Sequence, residues 1–343
     1  MTDIGRNTAF TETILISSDA AALAGSYTAG LGASREDERP LDPARAVALG
    51  VPHAQGRVHR VLLGQHAVSI VEFRGLRGRP YPRHSSASDL WFQHLALVVD
   101  DIGQVHEQLL RTDRFTPISR GGPVRLPPTS GGVTAFKFRD PEGHPLELLQ
   151  FPSGAAPRQW RRTTGTSGPA VLGVDHSAVS VSDTGRSVRF FRDVVGLRVT
   201  GVSTNEGPGQ SELDDLDDAR VTVTQLRSGT EGPGIELLEY HTGRRRAIDA
   251  RTSAGDVAAT HLVLAVESLD RVAQVLADHG VSAEQRVVSI TGIAGPILRI
   301  TDPDGHRLLV EERPVRAISG HEPDERRSAW ITDERVVRDA FHA

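Results

Sequence analysis

The sequence predicts an α+β fold built from four tandem βαβββ modules, and three observations predict it. A strand-like alternating run followed by a capped, amphipathic helix occurs four times along the 343 residues. The copies recur at fixed offsets. Two of them also share an Asp-Pro-x-Gly-His turn between alternating runs, the chemistry of a tight hairpin.

Module one, residues 10–74, starts with the strand Thr11-Glu12-Thr13-Ile14-Leu15-Ile16. Ser18-Asp19 then caps a helix whose apolar residues Leu23, Tyr27 and Leu31 lead to Gly32. Module three, residues 172–241, repeats this outline. Val174 to Val181 is its strand, Ser182-Asp183 its cap, and Val188, Phe191 and Val195 its helix stripe before Gly196. Asp19 to Asp183 and Gly32 to Gly196 are both steps of 164 residues, and that register places Glu12 where module three has His176. Module two (90–152) and module four (259–313) form the second pair. His94-Leu95-Ala96-Leu97-Val98-Val99 matches His261-Leu262-Val263-Leu264-Ala265-Val266, and Asp140-Pro141-Glu142-Gly143-His144 matches Asp302-Pro303-Asp304-Gly305-His306. Each first strand runs on into a helix, through Val105 and Leu109 or through Val272 and Leu276. A Pro/Gly/Ser/Thr/Arg-rich stretch, 153–170, reads as the linker between an N-terminal domain (10–152) and a C-terminal domain (171–313). The tail, 314–343, lies outside the repeat and contains a candidate helix from Asp333 to Phe341.

Composition narrows the chemistry. Cysteine is absent, which excludes disulfides, zinc-thiolate sites, iron–sulfur clusters and a Cys nucleophile, so any transition metal must be held by His, Asp or Glu. The net charge of −5 argues against a nucleic-acid partner, and no apolar run is long enough to span a membrane. Lys137 is the sole lysine, so Schiff-base chemistry could use only that residue. The polar N-terminus lacks the pattern of a secretory signal, and a cytoplasmic monomer or homodimer acting on a small molecule is the expectation.

With these residues in place the chain resembles the vicinal oxygen chelate superfamily, the group of glyoxalases, bleomycin-resistance proteins and extradiol dioxygenases. The resemblance rests on His176 in Val-Asp-His-Ser-Ala-Val, on Phe190 to Leu197, on Gly234-Ile235-Glu236-Leu237-Leu238-Glu239-Tyr240, and on His94, His261 and the two Asp-Pro-x-Gly-His turns; it spans about 10–313. It implies that modules pair into two half-barrels and that the chain holds one divalent metal ion (Fe²⁺, Mn²⁺, Ni²⁺, Co²⁺ or Zn²⁺) in such a cup. Ligands would come from the first and last strands. Carried over, these positions are Glu12 and Ser69, His94 and Glu147, His176 and Glu236, and His261 and Leu309; Ser69 and Leu309 depart from the pattern.

Two pairings then compete. If modules two and three pair, His94, Glu147, His176 and Glu236 form a complete set and the substitutions collect in one degenerate cavity. If neighbours along the chain pair, His176, His261 and Glu236 form a triad, with Glu311 as a stand-in carboxylate. The resemblance implies that two substrate oxygens chelate the metal while Glu147 or Glu236 serves as base, in lyase or isomerase chemistry. An Fe(II) dioxygenase and a non-catalytic, ligand-sequestering protein are the alternatives.

Other polar clusters have plainer readings. His144 and His306 read as hairpin residues; Glu72, Glu239 and Glu312 as solvent- or partner-facing. Arg244-Arg245-Arg246 reads as a solvated charge cluster, Trp91 and Phe92 as packing, and Asp214 to Asp218 lacks the spacing of an EF-hand.

Overall fold

The computed structural model describes residues 8–161, 170–229, 232–249, 251–278, 287–288 and 296–313. The candidate helix at 333–341 lies outside them. The elements in order are β1 (Thr8–Ser17), α1 (Ala20–Leu31), β2 (Ser34–Pro40), α2 (Pro43–Ala48), β3 (Gly56–Leu63), β4 (His66–Phe73), β5 (Phe92–Val99), α3 (Ile102–Thr112), β6 (Thr116–Pro117), β7 (Val124–Arg125), β8 (Thr134–Arg139) and β9 (Pro145–Gln150). After the segment between modules two and three come β10 (Val171–Ser180), α4 (Thr184–Arg189), β11 (Arg198–Glu206), α5 (Pro208–Asp214), β12 (Arg220–Arg227), β13 (Gly234–Tyr240), β14 (His261–Val266), α6 (Leu269–Asp278), β15 (Val287–Val288), β16 (Ile297–Thr301) and β17 (Arg307–Glu312).

The strands form two sheets, and the sheets decide between the pairings. One runs β15-β16-β17-β14-β1-β4-β3-β2, the other β11-β12-β13-β10-β5-β9-β8-β6 with β7 on β8. Module one therefore shares a sheet with module four through the antiparallel β1/β14 pair, and module two shares one with module three through β5/β10. The sequential domains 10–152 and 171–313 describe chain order but not these sheets. Sequence neighbours pack back to back instead. Tyr27 Oη donates to Asp140 Oδ2 (3.0 Å), and the imidazole of His144 reaches Ile16 O (3.0 Å) and Asp140 Oδ2 (2.8 Å). His306 Nε2 does the same for modules three and four at Ser180 O (2.8 Å). The two turn histidines are structural, as expected, and they also lock neighbouring modules together.

Local chemistry sets the helices. Asp19, Asp101 and Asp183 each accept a hydrogen bond from a backbone N–H in the first turn, at 2.9, 3.0 and 2.7 Å, which satisfies an otherwise orphan donor. A second cap comes from the end of each module's last strand. Glu72, Gln150, Glu239 and Glu312 accept from the N–H of Ala20, Ile102, Thr184 and Leu269. The expectation that Glu72, Glu239 and Glu312 face solvent or a partner holds for Glu312, which is exposed, and is corrected for the half-buried Glu72 and Glu239; all three are bound to helix N-termini, where a carboxylate meets both free donors and the positive end of the helix dipole. In the hairpin turns Gly143 and Gly305 have φ of 99° and 93°, the left-handed region that favours glycine.

The main core lies between the sheets and their helices, with Leu95, Leu97, Phe136, Phe138, Phe191 and Leu237 fully or almost fully buried. On the pseudo-twofold axis Thr13 Oγ1 and Ser177 Oγ, one 164-residue step apart, meet at 3.1 Å. Among the described residues no helix is long and apolar enough to cross a membrane.

Candidate metal centre

The β5/β10 seam puts the inward-facing positions of modules two and three opposite one another. His94 pairs in register with Ala178, Ala178 with Glu236, and Ala96 with Glu147, so ligand-type side chains from four adjacent strands converge on one cup. His94 Nε2 lies 3.0 Å from Glu147 Oε2 and 3.3 Å from His176 Nε2; His176 Nε2 lies 3.2 Å from Glu236 Oε2 and 4.0 Å from Glu147 Oε2. All four residues line one cleft, of about 110 Å³, whose walls include Leu126, Val133, Leu149 and Val223.

Donor atoms of His94, Glu147 and His176 all lie within 4.8 Å of one another. Neighbouring ligand atoms about 2.1 Å from a shared cation would be separated by about 3.0–3.4 Å, and most of these contacts fall there. His94 Nδ1 is buried without a hydrogen bond among the described residues. A set of two imidazoles and two carboxylates fits Fe²⁺, Mn²⁺, Ni²⁺, Co²⁺ or Zn²⁺.

The electrostatics separate the carboxylates. Burial opposes ionisation of Glu147, but His94, with Lys137 and His176, holds its pKa down to about 2. Burial pushes His94 down to about 4 against the pull of Glu147. Burial pushes Glu236 up, with His176 resisting, while His176 is raised by Glu236 and Asp175 despite its own burial.

Three parts of the cup were not legible as site residues. Asp175, the immediate neighbour of His176, lines the same cleft, against the alternation of a regular strand. A bulge between Val174 and His176 allows it, and β1 carries the same irregularity between Phe10 and Glu12. Asp175 Oδ2 accepts from His176 Nδ1 (3.0 Å) and from Arg227 Nη2 (2.6 Å), fixing the ring so that Nε2 faces the cup. Trp160 Nε1 donates to Asp175 Oδ1 (3.2 Å), and Phe151 and Pro157 line the cleft, so the first part of the expected 153–170 linker is wall rather than spacer. The third part is Lys137, whose Nζ is 2.6 Å from buried Asp214 Oδ1; Asp214 also accepts from Gln210 and Tyr240. The 214–218 acidic run thus begins with a core ion pair, while Asp215 and Asp217 pair with Arg120. The arginine run is likewise more than a solvated cluster, because Arg246 forms a bidentate pair with buried Asp89. Phe92 is buried, and Trp91 packs beside Tyr81.

The alternative set does not assemble. His176 and Glu236 belong to one sheet, His261 and Glu311 to the other. His261 is fully buried with neither ring nitrogen partnered among the described residues, and burial, then Arg307 and Arg45, push its pKa down to about 3. The unfolded chain therefore binds a proton that the folded one refuses. This contribution is fully present above about pH 6.5 and is lost as pH falls from there toward 3. Wild-type protein should lose about 2 kcal/mol more than His261→Leu between about pH 7 and pH 4.5, read as the difference in urea-unfolding free energies. Equal losses would refute the assignment.

Comparison with known proteins shows the family and the fold. The family model "Glyoxalase/Bleomycin resistance protein/Dioxygenase superfamily" matches residues 9–148 and again 173–310, and the chain belongs to that superfamily. No curated protein sequence matches it. Among solved structures it is similar in fold to glyoxalase I from Zea mays, at 15% identity and TM-score 0.60 over 89% of this chain and 92% of that one. It is also similar to a putative dioxygenase from Bacillus subtilis, at 14% identity and TM-score 0.52 over 90% and 86%.

Proposed function

We propose that the chain is a metal-dependent enzyme that transfers a proton on a small substrate bearing two adjacent oxygens, as a lyase or isomerase. The observation that carries this reading is the convergence of His94, Glu147 and His176 with Glu236 beside them, at ligand-edge distances, in one cleft. His94, Glu147, His176 and Glu236 would hold one divalent cation, which would serve as a Lewis acid for the two substrate oxygens and lower the cost of developing oxyanion charge. Asp175 orients His176. We assign the proton transfer to Glu236. Glu147 is tied to His94 and sits beside Lys137, whereas Glu236 contacts His176 and is the more exposed carboxylate, 12% against 7%. Its carboxylate would take the proton from one carbon and return it to the neighbouring one.

A second reading is supported by His94, Glu147 and His176 forming a group without Glu236: two imidazoles and one carboxylate suit an Fe(II) oxygenase. Metal analysis of protein prepared without chelator, followed by turnover assays with vicinal hydroxycarbonyls and catechols, separates the two. Activity without oxygen uptake supports proton transfer; iron-specific activity with oxygen uptake replaces it by the oxygenase. Absence of any divalent-metal binding sinks both.

A further inference from the structure

The second half-barrel mirrors the first strand by strand. Ile14 pairs with Ser69 and His261 as Ala178 pairs with Glu236 and His94, and Val263 pairs with Leu309 as Ala96 does with Glu147. Glu12, Ser69, His261 and Leu309 therefore occupy the positions of His176, Glu236, His94 and Glu147. The interior around them is packed rather than open, with Ile14, Leu41, Leu49, Val58, Val263 and Leu309 buried together.

A cation is nevertheless present. Arg45, the third residue of α2, enters this cup, while its counterpart Gln210, the third residue of α5, stays bound to Asp214 at the wall of the open cleft. Arg45 Nη2 lies 2.9 Å from Glu12 Oε2, and Nη1 donates to Glu311 Oε1. Ser69 Oγ donates to the other oxygen of Glu12. Glu311 is almost fully buried and Glu12 mostly so; Arg313, half exposed, reaches the other oxygen of Glu311 from the rim and Arg60 stands 3.9 Å from Glu12, so Arg45 is the cation that joins the two carboxylates.

We propose that the second half-barrel is a cation site whose resident cation is the Arg45 guanidinium, and that it accepts a free guanidinium ion when that side chain is cut away. The planar, multi-donor group spans two carboxylates from β1 and β17, so the cation between them is supplied by the chain itself. One half-barrel is thereby closed on an internal ion pair, and one stays open for chemistry.

The test is the thermal unfolding of full-length Arg45→Ala in about 10 mM guanidinium chloride against equal sodium chloride, a concentration low enough for site binding rather than denaturation. Arg45→Ala is expected to melt well below wild type. Guanidinium should recover a large part of the loss, with saturation, while leaving wild type unchanged; Glu12→Gln in the Arg45→Ala background should abolish the recovery. An Arg45→Ala protein as stable as wild type overturns the proposal, and so does recovery that sodium chloride reproduces. Where Arg45→Ala does not fold even with guanidinium, Arg45→Met/Glu12→Gln/Glu311→Gln decides. Folding of this triple variant, in which Arg60 and Arg313 keep their charges, supports charge compensation as the role of Arg45; its failure to fold overturns it. None of these outcomes depends on metal in the other half-barrel.

Discussion

His176→Ala should weaken divalent-cation binding by more than 100-fold, and Asp175→Asn by roughly 10–100-fold, because the first removes a donor atom and the second only the group that aims it. Asp175 accepts from His176 Nδ1 at 3.0 Å, so the asparagine keeps the shape but loses the charge that favours an Nδ1–H tautomer. His94→Ala should match His176→Ala, since the two Nε2 atoms face the same point at 3.3 Å. His261→Ala should leave the affinity unchanged, because His261 lies in the other sheet. Titration calorimetry with Mn²⁺ or Ni²⁺, alongside circular dichroism to confirm folding, reads all four variants. Loss of affinity in His261→Ala, or its retention in His176→Ala, would remove the site from β5 and β10.

Lys137→Met should destabilise the protein by about 3–5 kcal/mol, among the largest effects of any single change outside the apolar core. Lys137 and Asp214 are both buried and 2.6 Å apart, one on β8 of module two and the other at the end of α5 in module three. Cutting the lysine leaves a buried carboxylate whose partners among the described residues are Gln210 and Tyr240. Removing both charges should cost far less, so Lys137→Met/Asp214→Asn is expected to regain most of the loss. Urea unfolding of the single and double variants measures this directly. A double variant no more stable than Lys137→Met would show that the pair acts through packing and not charge.

How much of this was legible depended on range. The 164-residue step from Glu12 to His176 and the match of His94 to His261 fixed four modules and the positions facing the cups, because strand alternation and helix capping are local and leave their marks within a few residues. Alternation marks His94, His176 and His261 equally, so the choice of His94, Glu147, His176 and Glu236 as ligand-type residues came from the resemblance to the superfamily. Asp175 was hidden, since regular alternation turns it away from His176 and only a bulge turns it back. Arg45, Trp160 and Lys137 were hidden too, because each acts on a partner more than 14 residues distant, across a strand or module boundary.

The sequence by itself determined the module, its repetition, the absence of thiolate chemistry and the unequal divergence at Ser69 and Leu309. Only the tertiary structure decided which modules share a sheet. Any first strand offers the same ladder of donors and acceptors to any other, so backbone pairing alone does not distinguish β5/β10 from β5/β1. The choice falls to contacts between distant side chains, such as Lys137 with Asp214 across one sheet and His144 with Ile16 between the two. That choice gathers His94, Glu147, His176 and Glu236 into one cup and leaves Arg45 to fill the other.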